Sequence, residues 1–373
     1  MKGSVTEKRP GVWQIMVELP RDPITDKRRR KWATVKGSKR KAQFELQKML
    51  VEAQEAKARS SSASLATHLD NWLVWAMPNL APKTARTYRV RTSYLKDSEL
   101  GAIPLNELEV SHIDRLYSRM IHDGISYYVV RQAHVALRSA LNQAVRWEQL
   151  NRNPAAMATL PQAPVTEISA PSVEQLAEIL REARASHPQW GAMIAFAAIS
   201  GMRRGEICAL RWSDFADGRV HVRRSLTYTP ETGVIEGPTK TRQTRRIALD
   251  RIGMAVVEKQ MEALKAATER LGILPVSDPF LFFSEPDGGA PTHPDSISKI
   301  FRKLADAHGW RDLHFHSLRH FTATQLIAAG VDIRTVSGRL GHSDPSVTLR
   351  VYSHMLEAND RDAATIMGRL VHP

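Results

Sequence analysis

A chain of 373 residues with 42% hydrophobic side chains is long enough for two or three domains, each with its own core. A formal charge of +14 and an isoelectric point near 10.0 point to a polyanionic partner, usually nucleic acid, with a merely basic protein as the ordinary alternative. The single cysteine, Cys208, excludes an internal disulfide and a cysteine-based zinc cluster, and its run EICAL suits a small core residue. The most apolar run, residues 193–199, is too short to cross a bilayer, and the polar start MKGSVTEKRP has no signal-peptide apolar segment. No membrane partner is expected, and the cytoplasm, with nucleoid association, is the expected location.

The positive charge is uneven. Residues 1–59 hold 16 Lys and Arg against 7 Asp and Glu, more than half of the excess in the first sixth of the chain. Within residues 10–36, Trp13, Ile15 and Val17 alternate with Gln14, Met16 and Glu18, the period of a strand with one buried face. A turn at Pro20, Asp22, Pro23 and Asp26 leads to a second strand with Trp32, Thr34 and Val35, and KRRRK (27–31) runs between the two. Ala42, Leu46, Met49, Leu50 and Ala53 recur at helical spacing and predict a helix over 38–57 with Ser38 as N-cap. A short sheet backed by one helix can lay a face into a DNA groove. Arg28, Arg29, Arg30 and Lys31 are therefore candidate DNA contacts, a solvated hairpin tip being the alternative.

RSSSAS (59–64) reads as a flexible linker. From there to about residue 160 the pattern is helical throughout, with helices expected over 65–75, 83–94, 110–122 and 126–147. The last carries Val130, His134, Leu137, Leu141 and Val145 on one stripe, and Asn153-Pro154 stops the pattern. Lys83, Thr84, Arg86, Arg89 and Arg91 form a basic, hydroxyl-bearing cluster suited to phosphate contacts, or else a solvated helix face. Residues 155–171, with three prolines and little charge, read as a second linker. Ser172 with Gln175 fits a capping box for a helix to about residue 185. A buried helix over 190–200 breaks at Ser200-Gly201, and an amphipathic segment opens at Arg203. Three short strands over 220–226, 233–240 and 245–249, helices over 251–271 and 294–308, a short strand at 280–283 and helices from HFHSLRH onward complete the reading. The fold class expected is multidomain: a small sheet-plus-helix unit, an all-α unit, and a mixed α+β, mainly helical unit.

Five motifs in the last unit carry reactive side chains. Arg203 lies in SGMRRGE, Lys240 in PTKT at a turn between strands, His316 and Arg319 in HSLRH, His342 in LGHSDPSVT and Tyr352 in VYSH. Arginine and lysine are not bases at neutral pH, but they can neutralise a phosphodiester and its more charged transition state, arginine by forking onto the non-bridging oxygens. A tyrosine hydroxyl can be the nucleophile and form a covalent phosphotyrosine. That ester is close in energy to the bond it replaces, so resealing needs no ATP. No Asp/Glu cluster with metal-ligand spacing accompanies the set, and neither metal nor cofactor is expected. Singly each residue has a bland reading: a core tyrosine, a chance His-x-x-Arg, a helix-capping Gly341, a surface Arg203-Arg204 pair, a turn lysine.

In this order and spacing the motifs resemble the boxes of the tyrosine recombinases, the phage integrase family, over residues 170–373. Residues 64–160 look like that family's helical, SAM-like core-binding domain and residues 1–58 like its arm-type DNA-binding domain, on pattern more than motif. The resemblance implies that Arg203 and Arg319 bind the scissile phosphate and that Lys240 protonates the leaving 5′ oxygen. It implies that His316 contacts the phosphate and takes the nucleophile's proton, that His342 is a further phosphate donor, and that Tyr352 attacks to give a 3′-phosphotyrosyl link. Glu206 would orient Arg203. Arg242, Arg245 and Arg246 crowd the same hairpin as Lys240. The implied protein is a site-specific integrase acting on core and arm sites in double-stranded DNA as a homotetramer through a Holliday junction. A host DNA-bending protein and a directionality factor are candidate accessory partners. The helical tail at about 357–370 would pack on a neighbouring protomer or on its own domain. The alternatives are a chromosome-dimer-resolving recombinase, a non-catalytic DNA-binding protein of this fold and a type IB topoisomerase.

Overall fold

The structure is a computed structural model that describes residues 3–19, 29–60, 63–164, 169–342, 344, 364 and 367–371, with the backbone alone at 19, 29–30 and 52–60. The chain forms two compact units, Met1–Pro164 and Val165–Pro373.

The first unit begins with an antiparallel sheet in the order β1 (Gly3–Arg9), β2 (Val12–Leu19) and β3 (Arg29–Lys36). The period-2 face forms as expected. Ile15 and Val17 are buried, and Ile15 shares a small core with Val35 and with Ala42 of α1 (Lys39–Ser60). Ser38 Oγ accepts from the Lys41 amide at 3.3 Å, as an N-cap does. Strand β1 was not expected, because Val5 is its only large apolar residue, and an edge strand needs little else to pair. KRRRK is also corrected in part. Arg29, Arg30 and Lys31 belong to β3, with Arg30 opposite Glu18 in the register of the ladder. The expected turn, Arg28 included, lies outside the described residues.

A helical bundle follows: α2 (Leu65–Ala76), α3 (Pro82–Lys96), the short α4 (Glu99–Ala102), α5 (Val110–His122) and α6 (Tyr127–Arg146). Its core draws on Leu65, Leu69, Trp72, Leu95, Ile113, Tyr117, Val130, Leu137 and Leu141, and on no residue of the sheet unit's core. Helix α6 ends at Arg146, and Asn153 then caps a single 3-10 turn, Pro154–Ala156, by accepting from the Ala155 amide at 2.9 Å. Ala155 is buried and Leu160 packs on the bundle, so the chain stays with this core to residue 160 before the prolines.

In the second unit the Ser172–Gln175 capping box opens α7 (Val173–Ser186) through bonds of 2.8 and 3.2 Å. Then come α8 (Pro188–Ser200), α9 (Arg204–Cys208), β4 (Phe215–Ala216), β5 (Arg219–Val222), β6 (Arg224–Thr229), β7 (Gly233–Pro238), β8 (Arg245–Ala248), α10 (Arg251–Leu271), α11 (Pro294–Ala307), α12 (Ser317–Ala328) and α13 (Ile333–Leu340). The single strand expected over 220–226 is two strands in two sheets, β4-β5-β8 and the β6-β7 hairpin. Consecutive strand residues point to opposite faces, yet Arg223 and Arg224 both reach the buried carboxylate of Asp214, at 2.5 and 2.8 Å, so the chain has to bend between them. The stretch 280–283 pairs only through isolated bridges, Arg211 with Phe280 and Phe283 with Pro291. One core joins α7–α11 to the β4-β5-β8 sheet through Ile179, Phe196, Ile207, Cys208, Ile247, Phe282 and Phe301, and a smaller one joins α12 to α13. Cys208 is a core residue as expected, its thiol pushed up to about 12 chiefly by burial. Among the described residues no helix is long and apolar enough to cross a membrane.

Candidate active site

The site is assembled from chain breaks. Helix α8 ends at Gly201, which takes a left-handed φ of +65° where a Cβ would meet Leu340 at 2.7 Å. The reversal presents Arg203 at the mouth of α9. There Glu206 Oε2 accepts from the Arg203 amide at 2.9 Å, and Glu206 Oε1 accepts from Arg203 Nη1, also at 2.9 Å. From β8, Arg245 adds Nη1 to Glu206 Oε1 at 3.1 Å and Nη2 to Oε2 at 2.7 Å. Glu206 is 1% exposed. Burial by itself would raise its pKa, but the Arg245 hydrogen bonds and charge, then the Arg203 amide and charge, hold it below the usual carboxylate range. The expected Glu206–Arg203 pairing is thus present, but it is one side of a three-residue network.

Three arginines converge on the C-terminus of α13. Arg245 Nε donates to Arg339 O at 2.9 Å, Arg319 Nη1 to Leu340 O at 2.6 Å and to Gly201 O at 2.9 Å, and Arg203 Nη2 to Gly341 O at 2.8 Å. Gly341 caps the helix at φ +71°. His342 follows it, and His316 stands at the N-cap of α12, one turn from Arg319 and with its ring centroid 5.2 Å from that of His320. His316 is pushed down to about 4 by burial first, then by His320, Arg319, Arg203 and His342. Its accessible area is nevertheless that of an exposed residue, so the loss of hydration falls on the part of the ring turned to the protein. His342, half-buried, is pushed down to about 4 by burial and then by Arg319, Arg203, His320 and Arg245. These shared neighbours group Arg203, His316, Arg319 and His342 into one basic cluster, in which both imidazoles are neutral at pH 7.

The other expected residues are placed less tightly. Lys240 is exposed on the β7–β8 turn, and among the described residues no hydrogen bond or ion pair joins it to this cluster. Tyr352 and most of the expected tail helix lie outside the described residues. Lys31 is exposed on β3. On α3, Lys83, Arg86 and Arg89 are exposed and Thr84 and Arg91 half-buried, and helical spacing spreads the five around the helix beside the buried Ala85, Thr92 and Leu95, not on one opposite face; Arg91 Nε donates to Gln132 Oε1 at 2.8 Å. Away from the site, Glu178, Glu182 and His308 offer ligand atoms within 4.8 Å of one another. Arg181 pairs with Glu178, and His308 Nε2 lies in hydrogen-bond contact with Glu182 Oε1 at 2.9 Å, so each carboxylate already has a protein partner.

Sequence reasoning left Arg245 in a crowd of basic residues. A signal was available. Arg245 is in phase with the buried Ile247 along β8, whereas Arg246 points out, so only Arg245 aims at the interior.

The model of the phage integrase family matches residues 168–359, over half of the chain and inclusive of all the motif residues from Arg203 to Tyr352. The chain belongs to the phage integrase family. It is a tyrosine recombinase by family and so a DNA strand-transferase in class. The chain is 28% identical to a tyrosine recombinase XerC-like protein of Caldanaerobacter subterraneus subsp. tengcongensis, over 74% of this chain and 75% of that one. It is 24% identical to the ICEBs1 integrase of Bacillus subtilis (strain 168), over 99% and 100%. Its fold is like that of the Tn1549 transposon integrase solved with transposon right end DNA, with a TM-score of 0.71 at 20% identity over 83% of this chain and 99% of that one. A lambda integrase tetramer bound to a Holliday junction gives a TM-score of 0.60 at 19% identity over 93% and 94%.

Proposed function

We propose that this member of the family is a site-specific recombinase of a mobile element, cutting and rejoining double-stranded DNA through a 3′-phosphotyrosine on Tyr352. The observation that carries the reading is the grouping of Arg203 and Arg319 at the end of α13, with the buried Glu206 on Arg203 and with His316 and His342 close enough to feel both arginines. Arg203 and Arg319 fork onto the non-bridging oxygens of the scissile phosphate and stabilise its pentacoordinate transition state. A tyrosine hydroxyl has an ordinary pKa near 10, so it attacks only as a base removes its proton. His316 is neutral at pH 7 and can accept that proton, and a bound phosphate raises its basicity from about 4 toward the ordinary imidazole range. The Tyr352 oxygen bonds to phosphorus, the bond to the 5′ oxygen breaks, and Lys240 gives that oxygen its proton. His342 donates a further hydrogen bond to the phosphate. In the second step a 5′ hydroxyl of the partner strand attacks the phosphotyrosine and releases Tyr352.

Three domains serve this chemistry: residues 1–58 for arm-type sites, 64–160 for the core site and 170–373 for catalysis. The first two present Arg28, Arg29, Arg30 and Lys31, and Lys83, Thr84, Arg86, Arg89 and Arg91, to phosphates. Four copies pair two sites and pass through a Holliday junction, with a DNA-bending protein and a directionality factor as accessory partners. The XerC-like relative favours a chromosome-dimer resolvase as the second reading. The match to the ICEBs1 integrase includes the N-terminal sheet, which favours an integrase. The test is a nicked substrate that traps the cleaved strand. Wild type is expected to give a covalent protein–DNA adduct and Tyr352→Phe none at similar DNA affinity; an adduct with Tyr352→Phe would remove Tyr352 as nucleophile.

A further inference from the structure

The three carbonyls at the end of α13 are each held by a different arginine: Arg339 O by Arg245, Leu340 O by Arg319 and Gly341 O by Arg203. A helix C-terminus concentrates unpaired carbonyls and partial negative charge, so it draws cations. Two of these arginines are the ones to which the reading above gives the scissile phosphate. Arg245 differs. All three of its nitrogens already donate within the protein, two to Glu206 and one to Arg339 O. Its guanidinium lies against Gly341, where a Cβ would come within 2.8 Å of Nη1 and 2.9 Å of Cζ.

Resting on the recombinase reading, we propose that Arg245 is a positioning residue for DNA cleavage. It orients Glu206, which orients Arg203, and it anchors the end of α13, from which the chain runs through His342 to Tyr352. One buried Arg–Glu pair therefore sets both the seat of the phosphate and the root of the nucleophile-bearing segment. Lysine cannot replace it, because a single ammonium does not span two carboxylate oxygens and a carbonyl in a plane.

The test uses the full chain, with Arg245→Lys, the exposed neighbour Arg246→Lys as control, Glu206→Gln, and the Arg245→Lys/Glu206→Gln double variant. Three quantities are read: the rate of adduct formation on the nicked substrate at saturating DNA, the DNA affinity, and hydrogen exchange of the Gly341 and His342 amides, which bond to Ser337 O. Arg245→Lys is expected to slow adduct formation about 100-fold at unchanged affinity. It should speed exchange at those two amides but not in α7 or α8, and the double variant should be no slower than the slower single. Wild-type rate in Arg245→Lys, unchanged exchange at both amides, or exchange accelerated throughout residues 170–342 would each overturn the proposal. Failure of the wild type to form any adduct would instead overturn the recombinase reading, and it is told apart because exchange is read without cleavage.

Discussion

Gly341 is constrained in two ways: its φ of +71° is costly for any side chain, and a Cβ there would meet the Arg245 guanidinium. Gly341→Ala is expected to cost about 1–3 kcal/mol, measured as a lower denaturation midpoint. Glu206→Ala should cost more, about 3–5 kcal/mol, because it leaves the buried guanidinium of Arg245 without its carboxylate, whereas Arg245→Met with Glu206→Leu should recover part of the loss. The histidines set a pH dependence. His316 and His342 titrate near 4 when folded against 6.5 ordinarily, so between those values the unfolded chain holds more protons and stability rises with pH. Thermal unfolding should therefore fall to lower temperature as pH drops from about 6.5 toward about 4. A His316→Gln/His342→Gln variant should show a flatter profile, and equal slopes would tell against these shifts. Bound phosphate favours the protonated forms, so DNA should raise both values in an NMR titration.

At the scale of elements, the hairpin β6–β7 and its outgoing turn decide where Lys240 goes. Glu236 ties the hairpin to Arg211 at 3.1 Å and pairs within it with Arg224 of β6 at 3.7 Å. The turn is anchored by the buried Thr239, whose hydroxyl donates to Gln243 O at 2.7 Å and whose carbonyl accepts from the Arg242 amide at 2.8 Å. Lys240 is thus the exposed corner of an anchored turn, suited to reach a leaving oxygen on DNA laid over the site. Lys240→Ala should slow cleavage of ordinary DNA and be rescued by a substrate with sulfur at the 5′ bridging position, since a thiolate leaves without a proton. Arg319→Lys should lose activity on both substrates, because the forked geometry goes although the charge stays. Rescue of both variants, or of neither, would remove Lys240 as the acid.

At the scale of the whole molecule, the N-terminal sheet and the helical bundle have separate cores, and the basic excess is concentrated in the former. If both bind DNA, as proposed, two such units on one chain raise the effective concentration of each at its site. Deleting residues 1–58 should remove one class of DNA site while sparing weak core-site binding, and the salt dependence of the remaining binding should be shallower. An unchanged footprint would sink the arm-binding assignment.

Much of this was legible in the chain because it is local. Helical periodicity and end signals placed α5 at 110–122 and α10 at 251–271, and Ser172 with Gln175 announced the cap of α7. Five motifs in order marked the family and all the residues of the cluster but one. What tertiary structure decided is non-local. Strand β1 exists because β2 offers it a ladder, and the break at Arg223 exists because Asp214 is buried beside it. Arg245 differs from Arg246 only in facing inward along β8. Arg203 and Gly341 are far apart in sequence and 2.8 Å apart in space, an encounter no periodicity can announce, since it depends on how α8, β8 and α13 pack and not on any segment's own preference.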